Sequence, residues 1–265
     1  MGRLEGKSVF ITGAGSGIGR ATALKCVAEG ATVTVADIDA ALAEATAAAV
    51  AEAGGEVLAL TVDVTEEAQL AEAMAASVER WDRLTTLVNC AGGSIAEDAP
   101  VTEVDLDVWD HTINLDLRGT FLACRTAIPH MTAAGGGAIV NFTSVVALKG
   151  SFRGHVYTAA KGGIISFTQA LAGRYWRQGI RANAIAPGIV LSDRVQGRMG
   201  LGDDVPLDER VEKAMGMNER LVDHRHPFGY GVPADIANVA LFLASDESRM
   251  VNGAVIPAEG GASAY

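Results

Sequence analysis

Short runs of apolar and β-branched residues alternate along the whole chain with longer segments of helical periodicity, and this alternation restricts the fold more than any other feature. Parallel strands need a crossover connection, usually a helix, between them, whereas antiparallel strands can be joined by short turns. The pattern therefore predicts an α/β fold: one doubly wound parallel sheet of about seven strands with helices on both faces. The strands are expected at residues 8–12, 32–36, 56–62, 84–88, 138–142, 181–186 and 254–257.

The length is compatible with a single domain, residues 1–265, because 49% of the 265 residues are hydrophobic and can bury one large core. The pattern loosens between Ser192 and Pro233, and a long segment of this kind at a ligand-facing rim is typical of a substrate loop or lid, here over 192–232. His224 and His226 lie in this segment. Without an acidic or Cys partner at ligand spacing, they are better explained as ordinary polar loop residues than as metal ligands.

Composition and charge exclude several classes of partner. The formal net charge is −11 and no basic cluster reverses it locally, so we do not expect nucleic acid to be a partner. No apolar run has the length of a signal peptide or of the roughly 18 residues that span a bilayer, so we expect a cytoplasmic protein with no membrane partner. Cys26, Cys90 and Cys124 have no C-x-x-C spacing, which favours free thiols over disulfides or a zinc site.

Ligands of doubly wound sheets bind beyond the carboxyl ends of the strands, so the residues that follow each strand are the most informative. The first strand is followed by Thr12-Gly-Ala-Gly-Ser-Gly-Ile-Gly19, which leads directly into a helix. Glycines let the backbone approach a pyrophosphate closely, and a helix N-terminus favours its negative charge. A tight turn without a ligand is the alternative, but the strand and helix context favours a dinucleotide site of the Rossmann type. The expected contacts are Gly13, Ser16, Gly17, Ile18 and Gly19.

Polar and small residues also follow the next three strands. Asp37 lies at the distance from the glycines at which an acidic residue commonly bonds the adenosine ribose; it could instead cap the next helix, although Asp39 is better placed for that. Asp63 and Val64 could hold the adenine edge, or Asp63 could simply start the helix that follows. The residues expected to contact the dinucleotide after the fourth strand are Asn89, Ala91 and Gly92.

Tyr157 and Lys161 are four residues apart in a predicted helix, so they share one face, and the residues between them are too small to cover them. A phenol ordinarily has a pKa of about 10, so it can take a proton near neutral pH only if its anion is stabilised, and a nearby ammonium does this. The pair is therefore predicted to be an acid/base. For an isolated pair, a packed Tyr and a solvated Lys would be the better explanation.

These motifs, in this order and spacing, resemble those of the short-chain dehydrogenase/reductase (SDR) family, and the resemblance runs nearly end to end. Two departures stand out. Cys90 stands where the family usually has a second Asn, and Glu259 lies in an ending where the family usually has Asp before two glycines. Neither departure affects the chemistry. The resemblance rests on the glycine turn, Asn89-Cys-Ala-Gly92, Asn114, Ser144, Tyr157-x-x-x-Lys161, Pro187-Gly188 and Gly260-Gly261.

The resemblance also implies roles for single residues. It implies that Ser144 orients the substrate oxygen, with an ST-turn or helix cap as the alternative. It implies that Asn114 bends its helix and holds a water that joins Lys161 to solvent, with a plain buried hydrogen bond as the alternative. The nicotinamide is expected to pass the segment after the sixth strand. The remaining cofactor contacts are then Tyr157, Lys161, Pro187, Gly188, Ile189 and Ser192.

The function predicted from these residues is that of an NAD-dependent oxidoreductase that interconverts a secondary alcohol and a ketone. NAD is expected because Asp37 would repel the 2′-phosphate of NADP and the glycine turn has no basic residue to offset it. A reductase acting mainly toward the alcohol and a non-catalytic dinucleotide-sensing regulator are the alternatives. His155 could face the substrate or merely cap its helix. The candidate substrate pocket consists of Ser94, Val146, Leu148, Phe152, His155 and Val190.

The helical segments 104–131 and 157–176 carry apolar residues on more than one face, more than packing against a sheet requires. This predicts a homotetramer, which the family resemblance also suggests. The apolar residues include Phe121, Leu122, Ile165, Phe167 and Leu171.

Overall fold

In the computed structural model, which describes residues 2–150, 152–198 and 228–264, seven strands form one sheet. They are β1 (Ser8–Thr12), β2 (Thr32–Asp37), β3 (Val57–Thr61), β4 (Thr86–Asn89), β5 (Gly137–Phe142), β6 (Ile180–Pro187) and β7 (Val255–Ala258). The order is β3-β2-β1-β4-β5-β6-β7, and all neighbours are parallel. The predicted doubly wound fold is confirmed. Strand order reverses between β1 and β4, which makes their carboxyl ends the place where a ligand is expected.

Helices connect successive strands and cover both faces of the sheet. Within the described ranges the α-helices are α1 (Gly17–Ala28), α2 (Ala40–Glu52), α3 (Glu67–Trp81), α4 (Leu106–Thr112), α5 (Gly119–Ala133), α6 (His155–Tyr175), α7 (Asp193–Arg198) and α8 (Pro233–Ala244). The helical region expected over 104–131 is interrupted by a π-helical turn, Ile113–Arg118, between α4 and α5. A π-turn holds more residues than an α-turn, so it rotates the faces that follow relative to a straight helix.

The two faces of the sheet are buried against different helices because side chains alternate along each strand. Val9 and Ile11 pack on one face with residues of α1 and α8, such as Ala23 and Ala240. Phe10, between them in β1, packs on the other face with residues of α3, α5 and α6. Both layers are buried, which explains why the strands have continuous rather than alternating apolar sequences.

Cys26 and Cys124 are fully buried in these two layers, and burial raises the pKa of each thiol to about 12. Burial also raises the pKa of Cys90, although the charge of Lys161 works in the opposite direction. All three cysteines are free, as expected from their spacing. Their raised pKa values make them poor nucleophiles at neutral pH.

The segment expected as a loop or lid, 192–232, lies largely outside the described residues, and so do His224 and His226. At its described ends the chain forms α7 and a parallel bridge between Val190 and Gly231. Within the described ranges, no helix combines the length and the apolar character that a bilayer crossing requires.

Candidate active site

The turn between β1 and α1 has a backbone that favours glycine. Gly13 and Gly17 have φ angles of +63° and +52°, which side-chain-bearing residues rarely adopt. A Cβ on Gly13 would lie 2.7 Å from the Cα of Ala91, and a Cβ on Gly19 would overlap the carbonyl oxygen of Gly13. The turn is thus packed directly against the end of β4, where the strand order reverses.

The amino end of α1 fits an anionic group such as a pyrophosphate. Its N-cap residue, Ser16, makes no side-chain hydrogen bond to the described helix, and the first turn contains no acidic residue. The positive end of the helix dipole is therefore not neutralised by these groups. The Cβ of Ser192 lies 3.2 Å from the position that a Cβ on Gly17 would take, so the segment after β6 reaches the same turn.

Asp37 joins the end of β2 to the glycine turn. Its Oδ2 accepts the Gly15 N–H at 2.8 Å, and its Oδ1 accepts the Asp39 N–H at 3.1 Å. Asp39 itself caps α2 by accepting from the N–H groups of Ala41 and Leu42, as its position predicted. A carboxylate has about four acceptor positions, so Asp37 can still accept from two ribose hydroxyls while holding the turn.

Asp63 and Val64 after β3 have structural roles. Asp63 Oδ1 accepts from the N–H and the hydroxyl of Thr65 at 2.9 and 2.7 Å, which forms a turn ahead of α3. Val64 is buried, and a Cβ on Gly119 would lie 2.9 Å from its Cγ2. The hydrogen bonds of Asp63 therefore favour the alternative considered for it, a residue that forms the turn before the following helix, over a free adenine ligand.

The sequence suggested that the Asn89 side chain lies free at the rim, but in the structure this side chain is hydrogen-bonded in the interior. Its Nδ2 donates to Asn141 Oδ1 at 2.8 Å and to Cys124 Sγ at 3.3 Å, and Asn141 donates onward to Thr168 at 2.9 Å. As the last residue of β4, Asn89 turns its side chain into the layer of α5 and α6, where an amide needs partners. It ties the strand end to the helices.

Ala91 and Gly92 lie at the predicted rim and are partly exposed. The N–H of Ala91 lies 3.3 Å from the hydroxyl oxygen of Thr12, which accepts it. The carbonyl of Gly92 accepts from the Arg194 guanidinium at 3.1 Å, and a Cβ on Gly93 would overlap that guanidinium. Arg194 is a cation at the rim that sequence reasoning did not single out.

The segment after β6 follows the sheet edge toward the same rim. The N–H of Gly188 donates to Ala258 O at 3.2 Å, and a Cβ on Gly188 would lie 2.9 Å from the Cβ of Glu259. Ile189 pairs with Gly231 through the Gly231 N–H at 2.9 Å. The expected cofactor contacts Pro187, Gly188, Ile189 and Ser192 therefore lie along one edge of the site.

Tyr157 and Lys161 lie together at the start of α6. The ammonium of Lys161 is 5.4 Å from the centre of the Tyr157 ring, and only 4% of the lysine is exposed. Lys161 Nζ donates to Phe142 O at 3.1 Å, and its backbone carbonyl accepts from Thr143 Oγ1 at 2.7 Å. The end of β5 thus holds the lysine at both its backbone and its charged group.

Ser144 follows β5 and is next in sequence to Thr143, whose hydroxyl donates to the Lys161 carbonyl. It precedes the short 3-10 turn Val145–Ala147, and its Oγ accepts the Val146 N–H at a long 3.4 Å. The structure shows the alternative considered for it, a turn cap, held by this one long bond; its role toward a substrate oxygen stays a prediction.

The predicted role of Asn114, a water-mediated link from Lys161 to solvent, stays a prediction; its side chain bonds within its own helix. Its Oδ1 accepts from the Arg118 guanidinium at 2.8 Å, and that guanidinium also donates to Thr65 O at 2.7 Å. Two residues later, Asp116 is completely buried and its Oδ1 is 2.9 Å from Lys161 Nζ. The π-turn places residue 116 on the side of the helix that faces α6. The available sequence signal was an Asp between two leucines in an apolar helix.

Asp98 fixes the first turn of α6, and no sequence pattern indicated this role. Its two carboxylate oxygens accept the N–H groups of Val156 at 3.2 Å and Tyr157 at 2.9 Å. The adjacent loop adds further bonds, because His155 Nδ1 accepts the Val101 N–H at 3.0 Å. Of the two roles considered for His155, the structure favours anchoring the helix start.

The predicted substrate pocket is brought together only in part. Phe152 is 39% exposed and its ring meets that of Tyr157 edge-on, with centres 6.1 Å apart. Leu148 is also exposed, and Ser94 and Val146 are partly exposed. Val190 is a correction, because it is buried in the core layer of α1 and α8.

Comparison with known proteins is consistent with this geometry. A family model described as enoyl-(acyl carrier protein) reductase matches residues 13–263. The chain is 36% identical over 263 residues to 2-(S)-hydroxypropyl-CoM dehydrogenase 3 of Xanthobacter autotrophicus, covering 99% of this chain and 98% of that protein. It is 36% identical over 264 residues to levodione reductase of Leifsonia aquatica, covering 99% of this chain and 96% of that protein.

Solved structures give the same result. A short-chain dehydrogenase/reductase from Burkholderia xenovorans superposes with a TM-score of 0.89 at 35% sequence identity. The match covers 100% of this chain and 99% of that one, so the whole architecture is shared.

Proposed function

The chain belongs to the short-chain dehydrogenase/reductase family, and on this premise we propose that it is an NAD-dependent dehydrogenase that interconverts a secondary alcohol and a ketone. Its relatives are dehydrogenases and reductases of such compounds, so the chain is an oxidoreductase. One observation supports the specific chemistry most strongly. The buried Lys161 ammonium lies 5.4 Å from the ring centre of Tyr157, at the carboxyl ends of the strands.

In this proposal Tyr157 moves the proton. For alcohol oxidation, its ionised oxygen takes the hydroxyl proton of the substrate, and in the reverse direction its phenol returns that proton to the ketone oxygen. Lys161 stabilises the ionised form through its positive charge. The bound dinucleotide would supply the hydride acceptor at its nicotinamide ring.

Ser144 would orient the substrate oxygen. Its hydroxyl is held by one long hydrogen bond to the Val146 N–H, so it can turn to donate to a substrate. Phe152, which contacts the Tyr157 ring and is partly exposed, would supply an apolar wall for the rest of the alcohol. A substrate held between these groups would have its oxygen fixed at the phenol.

The choice of NAD over NADP rests on Asp37. The carboxylate is held in place by the Gly15 and Asp39 N–H groups, and it would accept from two ribose hydroxyls. A 2′-phosphate in the same place would meet a fixed negative charge with no basic residue in the adjacent turn. Gly13, Gly17 and the open end of α1 would hold the pyrophosphate.

We also propose a homotetramer. Phe121 of α5 is 43% exposed, and its ring lies 5.5 Å from that of Phe167 in α6, so the two long helices share an apolar surface. Leu106 and Trp109 of α4, which precedes α5 in the chain, are also exposed. Exposed aromatic pairs of this kind are typical of buried subunit contacts.

The proposed activity is tested by incubating the purified chain with a panel of secondary alcohols, including 2-(S)-hydroxypropyl-CoM and cyclic alcohols. Each is tested with NAD⁺ and NADP⁺, and reduced cofactor is followed by absorbance. We expect reduction of NAD⁺ by at least one alcohol and loss of that activity in Tyr157→Phe. Binding of NAD⁺ without turnover of any alcohol, or of ketones with NADH, would instead support a dinucleotide-sensing protein.

A further inference from the structure

Asp116 is the most constrained charged residue of the site. It is fully buried in the π-helical turn, and its Oδ1 is 2.9 Å from Lys161 Nζ and 2.9 Å from the Gly93 nitrogen, whose N–H it accepts. Its Oδ2 has no hydrogen-bond partner among the described residues. A Cβ on Gly92 would overlap the carboxylate, so the loop after β4 is packed directly on it.

The charged and titratable groups around Lys161 come from each element that packs on it. Tyr157 lies on the same helix, Asp116 on the π-turn, Arg194 on α7, and Cys90 at the end of β4. Burial alone lowers the pKa of Lys161, but the charges of Asp116 and Tyr157 and the hydrogen bond to Asp116 outweigh burial and raise it. The ammonium therefore stays charged and paired.

The pair changes what the lysine contributes to the site. An unpaired ammonium would place one full positive charge beside the phenol and beside any bound nicotinamide. Paired with the Asp116 carboxylate at 2.9 Å, the pair has no net charge, so the ammonium near the Tyr157 ring still favours the phenolate but less than an unpaired ammonium would. Because both groups are buried, water does little to screen either of them. An oxidised nicotinamide carries a positive charge and a reduced one does not. An unpaired ammonium would therefore repel the oxidised form and leave the reduced form little affected, whereas the paired ammonium repels the oxidised form less.

We propose that Asp116 is a positioning residue that fixes the Lys161 ammonium and offsets its charge, so that the site favours the oxidised, positively charged form of the dinucleotide over the reduced, neutral form. The inference rests on the proposed function, because it assumes that a nicotinamide dinucleotide binds here. It assigns to this chain a preference for loading with the oxidised cofactor, the form that alcohol oxidation consumes.

The test uses Asp116→Asn, which keeps an acceptor oxygen for Gly93 and Lys161 and removes the charge. Dissociation constants of NAD⁺ and NADH are measured by calorimetry at about pH 6.5, where an ammonium with an ordinary pKa of about 10.4 is charged. We expect NAD⁺ affinity relative to NADH to fall about tenfold, the effect of about 1.4 kcal/mol of lost interaction. Asp110→Asn removes the same charge from an exposed position on α4 and should leave the ratio unchanged.

The outcomes separate this inference from the proposed function. A wild type that binds neither dinucleotide overturns both. A wild type that binds both, with an unchanged ratio in a folded Asp116→Asn, overturns the role of Asp116 alone. Asp116→Ser, whose smaller side chain admits water beside Lys161, provides the same measurement if the Asn variant does not fold. Circular dichroism and thermal melts establish folding in each case.

A second readout distinguishes a charge effect from a loss of structure. Without the carboxylate, the uncompensated ammonium stabilises the phenolate of Tyr157, so the pH midpoint of alcohol oxidation should move down by about one unit in Asp116→Asn. A purely structural defect would lower the rate without moving the midpoint. An unmoved midpoint in a folded variant contradicts the proposal.

Discussion

The carboxylate of Asp98 accepts the backbone N–H of Tyr157 at 2.9 Å, so a loop outside α6 fixes the position of the residue proposed to move the proton. Asp98 also accepts the N–H of Val156. The first N–H groups of a helix have no partner within it, and a side-chain acceptor there contributes to helix stability. The loop that carries Asp98 therefore supports both the fold and the geometry of the site.

Asp98→Ala should destabilise the protein by about 1 kcal/mol, the typical loss when a helix cap is removed. It should also lower kcat by roughly tenfold, because the first turn of α6 is free to shift and small displacements at the reacting group reduce the rate. Chemical denaturation and steady-state kinetics measure the two effects. Asp235→Ala is the matched control, because Asp235 accepts the Val232 N–H at 2.8 Å at the start of α8. The control should lose similar stability and keep its kcat; equal kcat losses in both variants would contradict the assignment.

Tyr157→Phe should bind NAD⁺ nearly normally and lose alcohol oxidation by about 10⁴-fold or more, because it loses both the proton acceptor and the oxygen that orients the substrate. Wild-type oxidation should rise with pH and then level off as the phenol ionises. Calorimetry with NAD⁺ and single-turnover rates test the two claims separately. Near wild-type oxidation by the Phe variant would rule out Tyr157 as the acid/base.

Lys161→Met should destabilise the fold by about 3–5 kcal/mol, because it leaves the Asp116 carboxylate buried without its partner. Burial lowers the pKa of Lys161, but pairing outweighs it and raises the pKa above the ordinary 10.5, so the folded state binds this proton more tightly than the unfolded chain. The stabilisation is complete below about pH 10.5 and is lost as the pH rises through the raised value.

Urea unfolding of the wild type and of Lys161→Met between about pH 7 and pH 12 measures this contribution. The difference between the two free energies of unfolding should stay constant to about pH 10 and shrink above it. Lys25→Met, in the last turn of α1, gives the baseline for other groups that titrate in this range. A difference that shrinks below pH 9 would indicate a lowered pKa for Lys161 and contradict the pairing argument.

Asp37→Asn should narrow the preference for NAD⁺ over NADP⁺. The wild type should prefer NAD⁺ by about 100-fold or more in kcat/KM, which corresponds to about 2.7 kcal/mol. Asn keeps an acceptor for the Gly15 N–H but removes the charge that repels a 2′-phosphate, so the preference should fall by about tenfold. Comparable efficiency of the wild type with both cofactors would refute the assignment of Asp37.

Phe121→Asp should dissociate the proposed tetramer, because it puts a charge on the apolar surface that Phe121 shares with Phe167. Light scattering at micromolar concentration should give four chain masses for the wild type and a smaller particle for this variant. Phe121→Tyr keeps the ring and should keep the assembly. A monomeric wild type under these conditions would contradict the prediction.

The fold could be predicted because it depends on local patterns that repeat along the chain. Each strand is a short apolar run, each helix has its own periodicity, and the glycine turn joins β1 to α1 at the point that the motif indicates. The cap at Asp39 followed from the same kind of local rule. Each of these features depends only on residues close to it in the sequence, so a local pattern is enough to predict it.

The parts of the site that were missed depend on contacts between distant residues. The π-turn rotates Asp116 toward Lys161, and no straight-helix periodicity anticipates an additional residue in one turn. Asn89 turns into the interior because Asn141 and Cys124 happen to lie there. Asp98 meets the start of α6 only through the path of the loop after β4. The side-chain partners in these cases come from other elements.

The Cβ of Ser192 lies 3.2 Å from where a Cβ on Gly17 would be, and this approach to the glycine turn bears on the order in which the chain folds during synthesis. The first half of the chain supplies β1 to β4, which are neighbours in the sheet and can pair as soon as they leave the ribosome. The segment after β6, along which we propose that the nicotinamide lies, is translated late and reaches back to a turn made near the beginning. A nascent chain therefore carries half a groove for most of its elongation, and a dinucleotide would be retained only after the late segments dock. The concentration of dinucleotide would therefore affect one step of folding, the docking of the carboxyl-terminal half, by stabilising the docked state.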